Sequence, residues 1–429
     1  MVMALLNLVT SAILFRHLSK AYMGCYLFFL IIFTLIDTVR TGFLQTSFVK
    51  FYAGTTPERG ANVLGSTWFI GLSITGIVAA INICGLFLLG HITDVAYITI
   101  IKWTSVQFIS TLPIVMATWL LQAQQRYMEI LYIRVVNQTS FILAVIGLIY
   151  FGRLTLDNVL LVNALSCLLT CLVAFSCQWT GIRALPKQTK EAVRELFHFG
   201  KFSMGTSISA NLLRSSDTII IKLTLGEAAL AIYGAAQNLT NLLDIPLRSF
   251  VTTGMTSISA AQNMNEKEKV EEIFKKYAGA LTIIFIPVVL GLVVFADVAV
   301  GLLGGGKYVG TPAANIFRIF MIFAVFLPID RFIGVTMDVI HKPKINFYKV
   351  LIMLAINVFG DLVGVYVMHS IYGIAIASIP TFVLGTLFGY FSLKLYLKFT
   401  FVDIVKMGWA EAIVLVKGAL GKFAPKLIK

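Results

Sequence analysis

The chain has 429 residues, of which 58% are hydrophobic and 13% charged, and its net charge is +14. Soluble domains carry about 25% charged residues, so this composition excludes a soluble enzyme, a disordered chain and a disulfide-rich scaffold. It predicts a protein with many membrane-spanning helices. All five cysteines lie in apolar stretches and are expected to be buried thiols. No His lies near Cys167 and Cys171, so we expect no metal site, and no cofactor is expected.

Twelve apolar segments follow one another along the chain, and most reach the roughly 20 residues that a helix needs to cross a bilayer. They are residues 1–16, 22–44, 63–90, 95–122, 129–151, 156–180, 203–225, 228–255, 279–303, 312–337, 349–368 and 372–393. Open strands are not expected, because lipid cannot satisfy a sheet edge, and the alternation typical of barrel strands is missing. The first segment is short, so either its helix is short or the true start lies upstream.

The basic residues predict the orientation of these helices. With the N-terminus inside, most of the 34 Lys and Arg residues fall in cytoplasmic loops or the tail. The outer loops then carry Arg16, Lys20, Arg153 and Lys307. This positive-inside asymmetry explains the net charge without nucleic acid and predicts that both termini are cytoplasmic.

A polar stretch at mid-chain divides the segments into two sets of six. It contains an amphipathic run at 191–198, typical of a helix on a membrane surface. An ungapped shift places Tyr26 and Asp37 on Tyr233 and Asp244, a weak internal similarity that fits two parallel repeats around a central cavity. We expect a six-helix N-terminal lobe at 1–182, an amphipathic cytoplasmic linker at 183–200, a six-helix C-terminal lobe at 201–399 and a basic cytoplasmic tail at 400–429.

Motifs for catalysis are missing, so the chain is not expected to be an enzyme. Residues 301–307 have the spacing of a phosphate-binding loop, but Tyr308 follows where that loop needs a Ser or Thr hydroxyl for magnesium. The stretch is therefore interpreted as a flexible turn.

Charged residues within the predicted spans are the candidates for function, because a charge in lipid is costly and usually faces a cavity or a partner. Three helices carry an Asp and an Arg three or four residues apart, which places both on one helix face. The pairs are Asp37 with Arg40, Asp217 with Arg214, and Asp244 with Arg248. Two interpretations stay open for them: buried structural bridges, or a water-filled cavity whose Arg residues suit phosphate. Lys222, Arg134 and Arg318 could instead extend to the membrane interface.

Several stretches of the second half resemble the polysaccharide transporter family of the multidrug/oligosaccharidyl-lipid/polysaccharide exporter superfamily. They are Ser216–Gly226 with Ala231–Ala236, Leu303–Tyr308 after Pro287, Asn357, and Tyr372–Ala377. The pattern of two six-helix halves and a basic linker extends the resemblance over nearly the whole chain. The basic lead that the family usually carries before its first helix does not precede this one.

The resemblance implies a flippase with two lobes around a cationic cavity. Such a protein moves an undecaprenyl-pyrophosphate-linked oligosaccharide across the bacterial cytoplasmic membrane by alternating access. The candidates for binding the anionic headgroup are then Arg40, Arg214 and Arg248, with Lys102, Arg134 and Arg318 behind them. Asp37, Asp217 and Asp244 are expected to be their salt-bridge partners or sites of H⁺ or Na⁺ coupling. Expected partners are the lipid-linked oligosaccharide and the bilayer, with polysaccharide polymerase machinery left open.

Two other functions remain as alternatives. A cation-coupled multidrug or small-molecule exporter of the same superfamily would favour acidic cavity residues. A membrane-embedded polysaccharide polymerase or glycosyltransferase would need large outer loops or clustered acids and His. Neighbouring glycosyltransferase genes would favour the flippase, and a drug-responsive regulator would favour the exporter.

Overall fold

The computed structural model describes residues 2–87 and 89–423, and within these ranges the chain forms helices and short connections without a strand. It divides into two compact units. The N-terminal unit is Met1–Lys222 with Gly226–Ala231, and the C-terminal unit is Leu223–Leu225 with Ile232–Lys429. The predicted lobe boundaries at 182 and 201 stay predictions.

Seven helices build the N-terminal unit. They are α1 (Val2–His17), α2 (Lys20–Tyr52), α3 (Pro57–Leu86), α4 (Val95–Ala123), α5 (Tyr127–Tyr150), α6 (Leu156–Ser176) and the first part of α7 (Lys190–Thr240). Ser19, Thr56, Asp94 and Thr155 cap four of them, since each side-chain oxygen accepts a hydrogen bond from an N–H of the first turn. Three of these helices begin within two residues of their predicted starts, whereas α3 begins at Pro57, six residues before its predicted start.

The long helix α7 contains the run predicted to lie on the membrane surface, because residues 191–198 are its first turns. Gly226 breaks it with a φ of 82° and a ψ of −178°, a conformation open to glycine but strained for other residues. α7 packs closely along α2 on both sides of this break. A Cβ on Gly24 would lie 1.9 Å from the Glu227 carbonyl oxygen, and one on Gly42 would lie 2.7 Å from Ser207 Cβ.

Eight helices build the remainder of the C-terminal unit. They are α8 (Asp244–Asn263), α9 (Lys267–Val294), α10 (Ala296–Gly304), α11 (Ala313–Ala324), α12 (Leu327–Val339), α13 (Pro343–Met368), α14 (Ile371–Lys394) and α15 (Phe401–Phe423). The predicted segment 279–303 spans α9 and α10. The segment 312–337 spans α11 and α12, which are bent by 47°. The bend precedes Pro328, whose ring cannot continue an unbroken helix.

The tail forms α15, which packs along α9. Lys276 Nζ lies 3.0 Å from Glu411 Oε2, and the rings of Phe274 and Phe399 meet edge to face. The expected cytoplasmic position of the tail stays a prediction, and its residues 424–429 lie outside the described part of the chain.

In the described ranges, nine helices are long and apolar enough to cross a membrane, or ten when α11 and α12 count as one bent span. The stretch Lys190–Asn263 counts once although the break at Gly226 divides it, and α1 is shorter than a full span. The predicted all-α, multi-pass membrane fold is therefore confirmed, with twelve spans as an approximate number.

Candidate functional site

Arg40 is the most thoroughly bound of the predicted arginines. Its side chain is 0% exposed, and its Nη2 lies 2.5 Å from Asp37 Oδ1. The guanidinium also donates to the Phe108 carbonyl oxygen at 2.9 Å and to Thr111 Oγ1 at 3.0 Å. Because these contacts join α2 to α4, the predicted pair exists as a buried bridge in the N-terminal unit.

The other predicted residues of the N-terminal unit lie at its surface. Arg214 on α7, Lys102 on α4 and Arg134 on α5 are exposed, and Asp217 is half-buried. Near Arg214, the Asn211 amide donates to Thr38 Oγ1 at 2.9 Å, which links α7 to α2. Arg214 is thus held on a helix that is anchored to its own unit.

The Asp–Arg pair on α8 is exposed and long, whereas the pair on α2 is buried and short. Arg248 is 72% exposed, and its Nη2 lies 3.4 Å from Asp244 Oδ2, at the limit of a useful contact. Exposed hydroxyls follow along the same helix at spacings of three and four residues. They are Ser249, Thr252, Thr253 and Thr256, which we call the hydroxyl row.

Each hydroxyl of this row donates to a carbonyl oxygen of its own helix. Thr252 donates to the Arg248 carbonyl at 2.8 Å and Thr256 to the Thr253 carbonyl at 2.7 Å. Their oxygens keep lone pairs that can accept from a ligand. Beyond the row, a cavity of about 400 Å³ is lined by Ser257, Lys276 and Tyr277. The Ser/Thr spacing at 249–256 was the signal by which the sequence could have shown this face.

Arg318 lies on α11 and is occupied by neighbours in the C-terminal unit. It bonds Asp297, donates to Asn315 Oδ1 at 2.7 Å, and donates to the Val293 carbonyl at 3.2 Å. These contacts hold the α9–α10 connection against the start of α11.

Lys222 is buried between two carboxylates of the N-terminal unit. Its side chain is 6% exposed, and its Nζ lies 2.7 Å from Asp94 Oδ2 and 2.6 Å from Glu227 Oε1. The other Asp94 oxygen accepts from the Ala96 N–H at 2.8 Å and caps α4. Burial acts to raise the pKa of Asp94, but the hydrogen bonds from Lys222 and Ala96 outweigh it and hold that pKa below its usual value.

A second buried bridge, in the C-terminal unit, was missed from the sequence. Lys349 of α13 is 3% exposed, and its Nζ lies 2.7 Å from Asp330 Oδ1 on α12. The residues are 19 positions apart, so no helical spacing could reveal the pair. It joins the two helices that follow the bend at Pro328.

These contacts separate the charges of the spans into two kinds. Arg40, Lys222 and Lys349 are bound within helix packing. Arg248 and the hydroxyl row instead offer a cation and hydrogen-bonding oxygens at the surface of a helix. Polar surface inside a span is costly against lipid, so such a face belongs to water or a polar ligand.

The fold matches solved transporters over almost the whole chain. A structure described as "Lipid II flippase MurJ, inward closed conformation" has a TM-score of 0.77 and 15% identity, covering 98% of this chain and 91% of that one. An inward-facing multidrug resistance MATE family transporter of the MOP superfamily has a TM-score of 0.75 and 16% identity, covering 92% and 95%. At such identities the likeness shows the fold, which is that of the MOP superfamily transporters.

The sequence matches identify a family. "Probable low-salt glycan biosynthesis flippase Agl15" of Haloferax volcanii is 22% identical over 235 residues, which are 54% of this chain and 48% of that protein. The match thus spans about half the length of that relative. The family described as "Polysaccharide biosynthesis protein" matches residues 13–312. The chain belongs to this family, and the family resemblance seen in the sequence is confirmed.

Proposed function

We propose that the protein is a flippase that moves a lipid-linked oligosaccharide across the membrane. The observation that carries the proposal is the face of α8, where exposed Arg248 is followed by the hydroxyl row at the end of the predicted span 228–255. A sugar chain needs many hydrogen-bonding partners, and a pyrophosphate needs a cation. The glycan-flippase name of the Haloferax relative supports the same substrate class.

In this proposal the two parts of the substrate use different groups. The fork of Arg248 donates to the phosphate oxygens, and its 3.4 Å contact with Asp244 is weak enough to be exchanged for them. The hydroxyl row accepts from sugar hydroxyls, while the lipid tail stays in the bilayer. Arg214, Lys102, Arg134 and Arg318 remain proposed secondary contacts for the headgroup.

Arg40 receives another role. With no exposed surface and four contacts to α2 and α4, it is a positioning residue rather than a substrate contact. Coupling to H⁺ or Na⁺ through Asp37, Asp217 or Asp244 remains part of the proposal. So do the undecaprenyl carrier, the bacterial cytoplasmic membrane, the cytoplasmic termini and alternating access between two lobes.

The test is a knockout analysed for lipid-linked glycans and complemented with variants. We expect oligosaccharide lipid to accumulate and surface glycan to disappear, and the wild-type gene to restore both. Thr252→Val with Thr256→Val keeps the side-chain shapes and removes two hydroxyls of the row, so flipping should fall several-fold at normal protein levels.

Thr282→Val is the matched control, because Thr282 on α9 is half-buried and donates to the Ala278 carbonyl at 2.8 Å outside the row. It should complement fully. A knockout with unchanged surface glycan and no lipid-linked intermediate would overturn the proposal, and would move multidrug export to first place. Full activity of the double Thr variant would remove the hydroxyl row from the substrate path.

A further inference from the structure

A cavity of about 760 Å³ lies in the N-terminal unit, where the start of α7 passes beside α3. None of the residues assigned to the substrate path lines it. Its wall combines three basic groups with aromatic rings and a hydroxyl. The lining includes Phe69, Thr189, Lys190, Arg194, Phe197 and His198.

The basic groups share one face of α7. Lys190, Arg194 and His198 follow one another at intervals of four residues, which stacks them on the same side of the helix. Lys190 and Arg194 are exposed, and neither forms an ion pair within the described part of the chain. Of the nearby carboxylates, Glu195 is bound to Arg59 at 2.9 Å, and Glu191 is not among the described lining residues.

The aromatic groups complete an amphipathic site. Phe69 on α3 is 43% exposed and Phe197 on α7 is 59% exposed, although both are large hydrophobic rings. Phe197 is held by Phe43, whose ring centroid lies 5.3 Å away. Cations and open aromatic surface within one cavity suit a ligand that joins a phosphate to an acyl chain.

We propose that this cavity binds an anionic glycerophospholipid, with its phosphate on Lys190 and Arg194 and an acyl chain on Phe69 and Phe197. The uncharged polar groups of the lining are Gln188 and Thr189, which is few for a glycan chain and argues against the oligosaccharide lipid. The basic-residue pattern predicts that this end of α7 lies at the cytoplasmic leaflet, where anionic lipids attract Lys and Arg.

Bound lipid would fix the start of α7 against α3. The same part of α7 packs on α2, since a Cβ on Gly200 would lie 2.5 Å from the Phe43 carbonyl oxygen. Bound lipid would therefore cover a face of the N-terminal unit that the side chains of this unit leave exposed.

The full-length protein in a neutral detergent is titrated with dioctanoyl phosphatidylglycerol, dioctanoyl phosphatidylcholine and inorganic pyrophosphate, with binding followed by native mass spectrometry. Phosphatidylglycerol should bind most tightly. Lys190→Gln with Arg194→Gln should weaken it about 25-fold, since each charge near an anionic headgroup contributes a factor of about five. Arg183→Gln with Lys187→Gln is the control, because these cations are exposed on the same connection but are not among the described lining residues.

Phe69→Ala separates lipid from free phosphate. It should weaken phosphatidylglycerol several-fold and leave pyrophosphate unchanged, whereas an equal response to both would overturn the lipid proposal. Equal losses in the two double Gln variants would reduce the site to diffuse surface charge, which also overturns it. Tighter binding of undecaprenyl phosphate than of phosphatidylglycerol would reassign the cavity to the carrier lipid. Arg248→Ala should leave the affinity for phosphatidylglycerol unchanged, because Arg248 is not among the described residues that line this cavity. This test therefore stands apart from that of the flippase.

Discussion

The Asp–Arg pairs of α2 and α8 look alike in sequence and differ in structure. On α2, Arg40 is 0% exposed and lies 2.5 Å from Asp37, with further bonds to α4. On α8, Arg248 is 72% exposed and lies 3.4 Å from Asp244. The first pair fills the gap between two packed helices, and the second lies on a face that the described residues of its unit leave exposed.

Helical spacing therefore identifies an Asp–Arg pair, but it does not show whether the pair is a structural bridge or binds a ligand. What decides is the surroundings: Phe108 and Thr111 of α4 offer partners to Arg40, whereas the neighbours of Arg248 along its face are hydroxyls. The C-terminal unit has a buried bridge of its own, Lys349 with Asp330, at a place that corresponds to neither pair.

The largest effect is expected from Arg40→Ala. Removing the guanidinium leaves Asp37 without its ion-pair partner and removes the hydrogen bond to the Phe108 carbonyl. This should lower the free energy of unfolding by about 3–5 kcal/mol. Thermal unfolding of the purified protein in detergent measures the loss.

A double variant, Asp37→Leu with Arg40→Met, checks the cause. It removes both charges at similar volume and should recover a large part of the stability. An Arg40→Ala protein with the wild-type unfolding midpoint and no transport would instead make Arg40 a substrate contact, and the contrast with Arg248 would fail.

Lys349→Ala should have the next largest effect on stability. It leaves the Asp330 carboxylate without its charge-assisted hydrogen bond, at a cost of about 2–3 kcal/mol in unfolding free energy. The paired change Lys349→Met with Asp330→Asn should lose less than Lys349→Ala. The midpoint of thermal unfolding reports both, and equal losses would show that packing rather than the ion pair is responsible.

Arg248→Ala should have the opposite effect to Arg40→Ala: a small change in stability and a large loss of ligand affinity. Its exposed ion pair contributes little, so the free energy of unfolding should change by at most about 0.5 kcal/mol. Affinity for a polyprenyl pyrophosphate should fall about 10–100-fold with the loss of charge-assisted hydrogen bonds. Arg248→Lys keeps the charge without the fork and should lie between. Titration of intrinsic tryptophan fluorescence measures affinity, and unchanged binding would contradict the assignment.

The smallest expected effect is on the pH dependence of stability, through Asp94 beside Lys222. Because the pKa of Asp94 is depressed in the folded protein, its stabilising contribution is present above the unfolded value of about 3.9 and is lost as the pH falls through the folded pKa. Asp94→Asn should remove this part of the acid sensitivity, at most about 1 kcal/mol because the carboxylate is partly exposed. Unfolding midpoints between pH 7 and pH 3 test it, with exposed Glu58→Gln as the control that should follow the wild type.

The sequence predicts the helices well where a cap lies beside the apolar run. Segments 95–122 and 372–393 match Val95–Ala123 and Ile371–Lys394, which Asp94 and Ser370 cap. Segment 22–44 ends too early, because α2 continues to Tyr52. There Phe48 packs in a core with Trp68, so packing sustains the helix beyond the apolar run.

The site is less accessible to sequence reasoning, because its charges are defined by distant partners. Lys222 has its partner Asp94 128 residues away, so the apolar pattern around Lys222 could not show this ion pair. Arg40 and Arg248 have the same local pattern, and burial, which separates them, depends on which helix packs alongside. A row of hydroxyls was visible in the letters of α8, but its exposure was not.

The polarity of α8 also has a consequence for how the protein is made. An Asp or an Arg adds about 2.5–3.5 kcal/mol to the insertion free energy of a segment at its centre and less towards its ends. α8 begins at Asp244 and carries Arg248 in its second turn, together with its hydroxyls. Its packing partners α9 and α12 are synthesised afterwards. During synthesis, α8 is therefore expected to insert poorly into the bilayer until α12 (Leu327–Val339) has also been made. We therefore expect stable insertion of α8 to depend on helices that are synthesised after it.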